Sequence, residues 1–251
     1  MRMRHFERFG STNCLNREIL PSFKNSSPRV FIQIGAGAGD QDARAHWRDG
    51  FTEFVKSLSL LEQDRIILVE PNPLNISALQ KAWAGHSNIE ILQLGVVPND
   101  FSDSSLEFWY AEEDAPHYQV FSLNKEHVSK HYPQGTFRSI EVKCKPINSL
   151  LNEIMSSSHI ALLAIDSEGI DGEILQSIDR SATVCDALSF ESIHPGVKED
   201  LVVRALKRSG LIPAGGGLDV NGYDRLFIRP TGIKGRIMAF AWELSRRLRS
   251  R

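Results

Sequence analysis

Four stretches of this chain hold residues whose types and spacing can do chemistry. Asp166-Ser167-Glu168-Gly169-Ile170-Asp171-Gly172-Glu173 places four carboxylates in eight residues. Carboxylates in the first turn of a helix complement its N-terminal dipole, which accounts for Asp171 and Glu173. Asp166 and Glu168 come earlier, directly after an apolar run, where a general base or a hard-metal ligand belongs. Glu191-Ser192-Ile193-His194 ends a second apolar run; a histidine there titrates near neutrality and can take a proton. Gly35-Ala36-Gly37-Ala38-Gly39-Asp40 follows a third run, and glycines let a backbone turn sharply and approach a ligand closely. Glu70 follows a fourth, where a carboxylate accepts hydrogen bonds from both hydroxyls of a ribose. The sixth position of the glycine run is Asp40, not the glycine of a dinucleotide fingerprint, which weighs against a nicotinamide site.

These stretches need elements to position them, and the hydrophobic pattern supplies them. Val30–Ile34, Arg65–Val69, Ile89–Val97, Ile160–Ile165 and Ala187–Glu191 read as buried strands, alternating with helical segments near 47–61, 74–84, 147–155 and 197–209 and another directly after Asp166-Ser167-Glu168-Gly169. Pro213–Leu218 and Arg225–Ile228 bracket a turn at Asn221-Gly222, predicting a terminal hairpin. Strand–helix alternation predicts an α/β, doubly wound and mostly parallel sheet with helices on both faces, and ligands then bind beyond the carboxyl ends of the strands. Residues 98–140 read as a less regular connection with one strand, Leu106–Tyr110, and Ile140–Cys144 follows as a further strand. Asp114, His117, Tyr118, His127, His131 and Tyr132 make this connection suited to a hydroxyl-rich ligand.

The chain has 251 residues, 41% hydrophobic and 24% charged, ordinary values for a packed globular protein. The net charge of -2 hides a partition. Residues 1–29 carry +4 and residues 234–251 carry +5, so the body between them carries -11. Such a body repels phosphate backbones and predicts no nucleic-acid partner. Three dispersed cysteines and the absence of an apolar leader predict a reducing, cytoplasmic setting without disulfides. Three regions follow: a basic arm over 1–29, the main domain over 30–233, and a basic amphipathic helix over 234–251. On that helix Ile237, Phe240, Ala241, Leu244 and Leu248 share a face. It is expected to dock on the acidic body of its own or a neighbouring subunit, in a homo-oligomer in the latter case, with peripheral contact to an anionic membrane as the alternative.

FIQIGAGAG, ILVEPNP, IEILQLGVVPND, LLAIDSEGIDGEIL, LSFESIH and DRLFIRP stand in that order, and in this the chain resembles the FkbM-type methyltransferases, S-adenosylmethionine-dependent enzymes of class I. The resemblance covers about residues 29–230. It implies a seven-stranded Rossmann-like sheet with an antiparallel terminal hairpin, and O-methylation of a hydroxyl on a glycan, glycolipid or glycosylated metabolite. It implies that Gly35, Gly37 and Gly39 wrap the methionine end of the cofactor, that Glu70 holds its ribose with Asn72 beside it, and that Gly95 and Val96 lie near the adenine. Gln33, counted among the cofactor-binding residues, stands where the family usually carries an acid, so a contact toward the cofactor's amino group is weakened or remade, and Asn148 stands where an aspartate is common, in a segment read as structural. The proton then goes to Asp166 or His194, with Glu168 and Glu191 orienting; a divalent ion on Asp166 and Glu168 is the variant mechanism. A nicotinamide-dependent oxidoreductase, or a binding protein on the same scaffold, are the competing readings.

Overall fold

A computed structural model of the protein describes residues 28–39, 49–116, 118–155, 159–179, 185–192, 199–218 and 223–249. Arg29–Ile34 forms β1, Arg65–Val69 β2 and Ile89–Leu92 β3. His159–Ile165 forms β7, Cys185–Glu191 β8, Ile212–Gly216 β9 and Asp224–Ile228 β10. These seven strands lie in the order β3-β2-β1-β7-β8-β10-β9. All neighbours run parallel except β10, which is antiparallel to both β8 and β9. The α/β, doubly wound sheet with its antiparallel end is therefore as the sequence predicts, although the Asn221-Gly222 turn lies outside the described residues. Strand order reverses between β1 and β7, which makes their carboxyl ends the place for a ligand.

Alternation along the strands sorts the core into two layers. Phe31, Ile66 and Leu68 face one side with Phe51 and Phe54 of helix α1 (Gly50–Lys56) and Leu79 of α2 (Ile76–Ala82). Val30, Ile32, Ile34, Ile67 and Val69 face the other. There they meet α4 (Ile147–Met155), α5 (Asp171–Ser177) and α6 (Glu199–Arg208) through residues such as Leu150, Ile174 and Val202. Helix α1 starts where Asp49 accepts hydrogen bonds from the backbone of Phe51 (3.3 Å) and Thr52 (2.9 Å), satisfying donors that the first helical turn leaves open. Arg29 belongs to β1 and not to the N-terminal arm, whose residues 1–27 are outside the described set. Its guanidinium pairs with buried Asp64, to which the Leu61 N–H also donates at 2.8 Å. Burial alone would raise the Asp64 pKa, but the hydrogen bonds from Arg29 and Leu61 hold it below the usual carboxylate value.

Two expectations need correction. The predicted strand Ile89–Val97 is two strands: β3 stays in the large sheet, and β4 (Gly95–Val97) leaves it to pair with β6 (Phe137–Pro146). Glycine fits this pairing, because a Cβ on Gly95 would lie 2.8 Å from the Phe108 ring and 2.9 Å from the Cys144 sulfur. Residues 98–140 are also more ordered than their composition suggests. β5 (Ser105–Ala111) pairs antiparallel with β6, giving a three-stranded sheet β4-β6-β5. Between them runs helix α3 (Lys125–His131), whose N-terminus is capped by Asn124, with the Glu126 N–H donating to its side chain at 2.9 Å. Phe108 stacks on Phe121 at 5.2 Å and helps close this layer over the strand ends.

The C-terminal helix, α7 (Gly232–Arg249), lies against β9. It docks through Gly235, Ala239 and Glu243, which are buried, while a Cβ on Gly215 of β9 would sit 3.3 Å from the Trp242 side chain. The apolar face noted in the sequence therefore points away from the protein.

Candidate functional site

The glycine turn is held by what it touches. Gly35 follows β1 with φ +78°, and a Cβ there would lie 1.6 Å from the Asp166 carbonyl oxygen. Only glycine lets the β1 and β7 ends approach so closely. The same junction is tied by the Asp166 N–H, which donates to the Ile34 carbonyl at 2.9 Å. Gly39 backs onto α2, where a Cβ would meet that of Ala82 at 2.9 Å. Gly37 differs: a Cβ there would meet nothing within 4 Å, so its backbone lies bare beside a cavity of about 260 Å³ at the strand ends.

Glu70 reaches this turn from the end of β2. Its buried carboxylate accepts from the Gly37 N–H at 2.6 Å, the Asn72 N–H at 2.9 Å and the Asn75 side-chain amide at 3.4 Å. Burial raises its pKa to about 7 against the pull of those donors. Asn75 also donates to the Tyr118 carbonyl at 3.3 Å, tying the site to the overlying layer. Asn72 holds Glu70 through its backbone and is buried, but it does not line the cavity; Gly95 does not line it either, whereas Val96 does.

Gln33 is buried on β1, and its amide donates to Asp49 at 3.0 Å. Both residues line the cavity. A carboxylate thus reaches the end of β1 from the cap of α1, 16 residues further along the chain, where the sequence offered only an amide.

The end of β7 brings Asp166, Ser167 and Glu168 to the opposite wall, with Glu191 of β8 and Asp224 of β10 beside them. Asp166 opens onto the cavity. Crowding by protein and the charges of Glu168, Asp171, Glu191 and Asp224 push its pKa well above the ordinary value. Glu168 is raised to about 8 for the same leading reason, desolvation, with Asp171 and Asp114 adding repulsion. Its backbone is left-handed, φ +51°, a conformation costing on the order of 1 kcal/mol or more for a non-glycine residue. Two contacts hold it there: the Ser122 hydroxyl donates to its carbonyl at 2.7 Å, and His127 Nε2 lies 3.2 Å from its carboxylate. Burial lowers the His127 pKa, and Lys130 lowers it further. Asp171, in the first turn of α5, accepts from the Ser167 N–H at 2.8 Å and so ties the acidic loop to the helix.

The layer over the strand ends adds Tyr118, Gln119, Val120, Phe121 and His131 to the cavity wall. Asp114 organises it, accepting from the Val120 N–H at 2.8 Å and from the Tyr132 hydroxyl. The sequence flagged this region without separating its members. His127 holds an acid of the site, His131 lines the cavity, and Asp114 and Tyr132 brace the loop; His117 is outside the described residues, as are Asp40 and His194. Asp49, Asn75, Tyr223 and Asp224 also reach the cavity, or a residue that lines it, without having been singled out. Asn148, by contrast, joins α4 to the end of α5, donating to the Ser177 carbonyl at 3.2 Å and accepting from the Asp179 N–H at 2.8 Å. Among the described residues no three His, Cys, Asp or Glu side chains converge as a metal-ligand set.

A doubly wound sheet with a glycine turn after its first strand, an acid after its second and an acidic loop at its switch point is a Rossmann-like α/β architecture. The methyltransferase FkbM domain model matches residues 33–201, and the chain belongs to that family of S-adenosylmethionine-dependent methyltransferases. Curated proteins give no match. Among solved structures, a Legionella pneumophila protein is 13% identical over 96% of this chain and 91% of its own, with a TM-score of 0.47. Aeropyrum pernix fibrillarin with natively bound S-adenosyl-L-methionine is 11% identical over 87% of this chain and 75% of its own, at 0.39. The Methanococcus jannaschii fibrillarin pre-rRNA processing protein is 9% identical over 80% of this chain, at 0.38, and this chain spans 66% of its length.

Proposed function

We propose that this protein transfers the methyl group of S-adenosylmethionine to a hydroxyl oxygen, on a sugar of a glycan, glycolipid or glycosylated metabolite. The observation that carries the reading is the Asp166–Glu168 pair. The pKa of the Glu168 carboxyl is raised to about 8 and that of Asp166 well above its ordinary value, and both face the cavity that the glycine turn and Glu70 border. When bound, S-adenosylmethionine supplies an already activated methyl on a sulfonium.

The chain's own residues then have three tasks. Gly35, Gly37 and Gly39 present backbone in place of side chains around the methionine end. Glu70, fixed by Gly37 and Asn72, offers its remaining acceptor capacity to the ribose diol. Asp166, which has no side-chain hydrogen-bond partner among the described residues, takes the proton of the acceptor hydroxyl as the oxygen attacks; a base of raised pKa suits that transfer. Glu168, oriented by His127, and Glu191 position the acceptor, while His194 is the second candidate for the base. A divalent ion on Asp166 and Glu168 would instead lower the hydroxyl pKa. The polar roof of Tyr118, Gln119 and His131 supports a hydroxyl-rich acceptor.

Calorimetry with S-adenosylmethionine, S-adenosylhomocysteine and NADH, followed by transfer of radiolabelled methyl to sugar-containing extracts, tests this. Binding of the first two and a base-stable label on sugar oxygen are expected. Tight NADH binding, or a product methylated on nitrogen or carbon, would overturn it.

A further inference from the structure

Helix α7 carries five large apolar side chains on its outer side. Ile233, Ile237, Phe240, Leu244 and Leu248 recur at spacings of three and four and are 46% to 77% exposed. At 100° per residue they form one narrow stripe, roughly opposite the buried Gly235 and Ala239. An 18-residue helix makes this stripe about 27 Å long. Stripes of this size on a protein surface mark a contact.

Charge favours an anionic partner. Lys234 flanks the stripe on one side, and Arg236 and Arg247 flank it on the other. Lys207, from the end of α6, joins Arg236, Phe240, Leu244 and Arg247 around an apolar groove beside it. The sole acid of residues 232–249, Glu243, is buried and turned inward, bonded to Arg225 at 3.3 Å and to Arg247 at 3.0 Å. The outer face of the helix is therefore apolar at its centre and positive at its edges. A second copy meeting it stripe to stripe would bring two segments of +5 together, and the chain's own residues 1–29, at +4, have the same sign. No helix among the described residues is long and apolar enough to cross a membrane. We infer that α7 lies flat on an anionic lipid bilayer, its apolar stripe at the headgroup–acyl boundary and its cations among the headgroups.

Arg225 of β10 pairs with Glu243, which fixes the inner side of the helix to the sheet and leaves the stripe outward.

Flotation of the full chain with vesicles of phosphatidylcholine, alone or with about 30 mol % phosphatidylserine, tests the inference without any need for turnover. Binding to the anionic vesicles alone is expected, weakened by high salt. Phe240→Ser with Leu244→Ser should abolish it. Lys207→Gln with Arg236→Gln should weaken it about 25-fold, at about fivefold per cation. All four side chains are at the surface, so unchanged melting and cofactor binding are expected of both variants. Equal binding to neutral vesicles, or no flotation, would overturn the inference. So would a dimer in light scattering that Phe240→Ser with Leu244→Ser dissociates, since that assigns the stripe to a second copy.

Discussion

Glu70 offers a quantitative test of the nucleoside end of the cavity. Its carboxyl titrates at about 7 in the free protein because it is buried, even though two backbone N–H groups donate to it. A ribose diol donates two further hydrogen bonds, and an ionised acceptor takes these about twice as strongly as a neutral one. Binding therefore selects the ionised form. That form is about nine-tenths populated at pH 8 and about one-tenth at pH 6, from one pH unit on either side of the pKa. Nucleoside affinity should accordingly fall about tenfold between these values, or about 1.4 kcal/mol. Adenosine is the ligand of choice, since it carries no charge over this range, and calorimetry at pH 6, 7 and 8 is the assay. Glu70→Gln should weaken binding by about 2 kcal/mol or more, as a charged acceptor of two hydrogen bonds is lost, and should flatten the pH dependence. A wild-type affinity that ignores pH, or a folded Glu70→Gln protein that binds as wild type does, would refute the assignment.

Further expectations concern the neighbouring groups. Asp166→Asn should lower kcat by about 10²–10⁴-fold while leaving cofactor affinity near wild type, measured by methyl transfer beside calorimetry; turnover unchanged by chelators would eliminate the divalent-ion variant. Gly35→Ala should fail to fold or lose most of its stability, because the new Cβ collides with the Asp166 backbone, whereas Gly37→Ala should fold with a loss of about 1 kcal/mol and bind cofactor poorly; thermal melts and calorimetry separate the two. Asp64→Ala should cost about 3–5 kcal/mol by stranding the buried Arg29 guanidinium, read by denaturant unfolding. The free protein should melt at a lower temperature as pH rises from 5.5 to about 8.5. Glu70, Glu168 and Asp171 have folded-state pKa values of about 7, 8 and 6, above their unfolded values, so the folded protein binds more protons and loses that advantage on passing each folded pKa. The sum is on the order of a few kcal/mol, and a melting temperature that is flat or rises over this window would contradict the placement of these acids.

The sequence alone determined what local pattern can encode. Apolar runs of strand length alternating with amphipathic helices defined the doubly wound sheet, since burial on both faces leaves a continuous apolar strand signature. Gly35-x-Gly37-x-Gly39, Glu70 and Asp166-Ser167-Glu168 were legible because each stands directly after a strand, where the sheet's geometry makes a residue available to a ligand. Tertiary structure decided what depends on partners distant in the chain. The bond from His127 to Glu168 spans 41 residues, and that from Gln33 to Asp49 spans 16; no periodicity relates such pairs. Asp224 reaches the cavity only because β10 inserts antiparallel between β8 and β9. The break between β3 and β4 goes with the pairing of β4 to β6 and the packing of Gly95 against Phe108 and Cys144, contacts absent from any local window. Helical periodicity likewise showed which residues of α7 share a face, but not which face docks. Small Gly235 and Ala239, with Trp242 against Gly215, face β9, so Ile233, Ile237, Phe240, Leu244 and Leu248 are left on the outside.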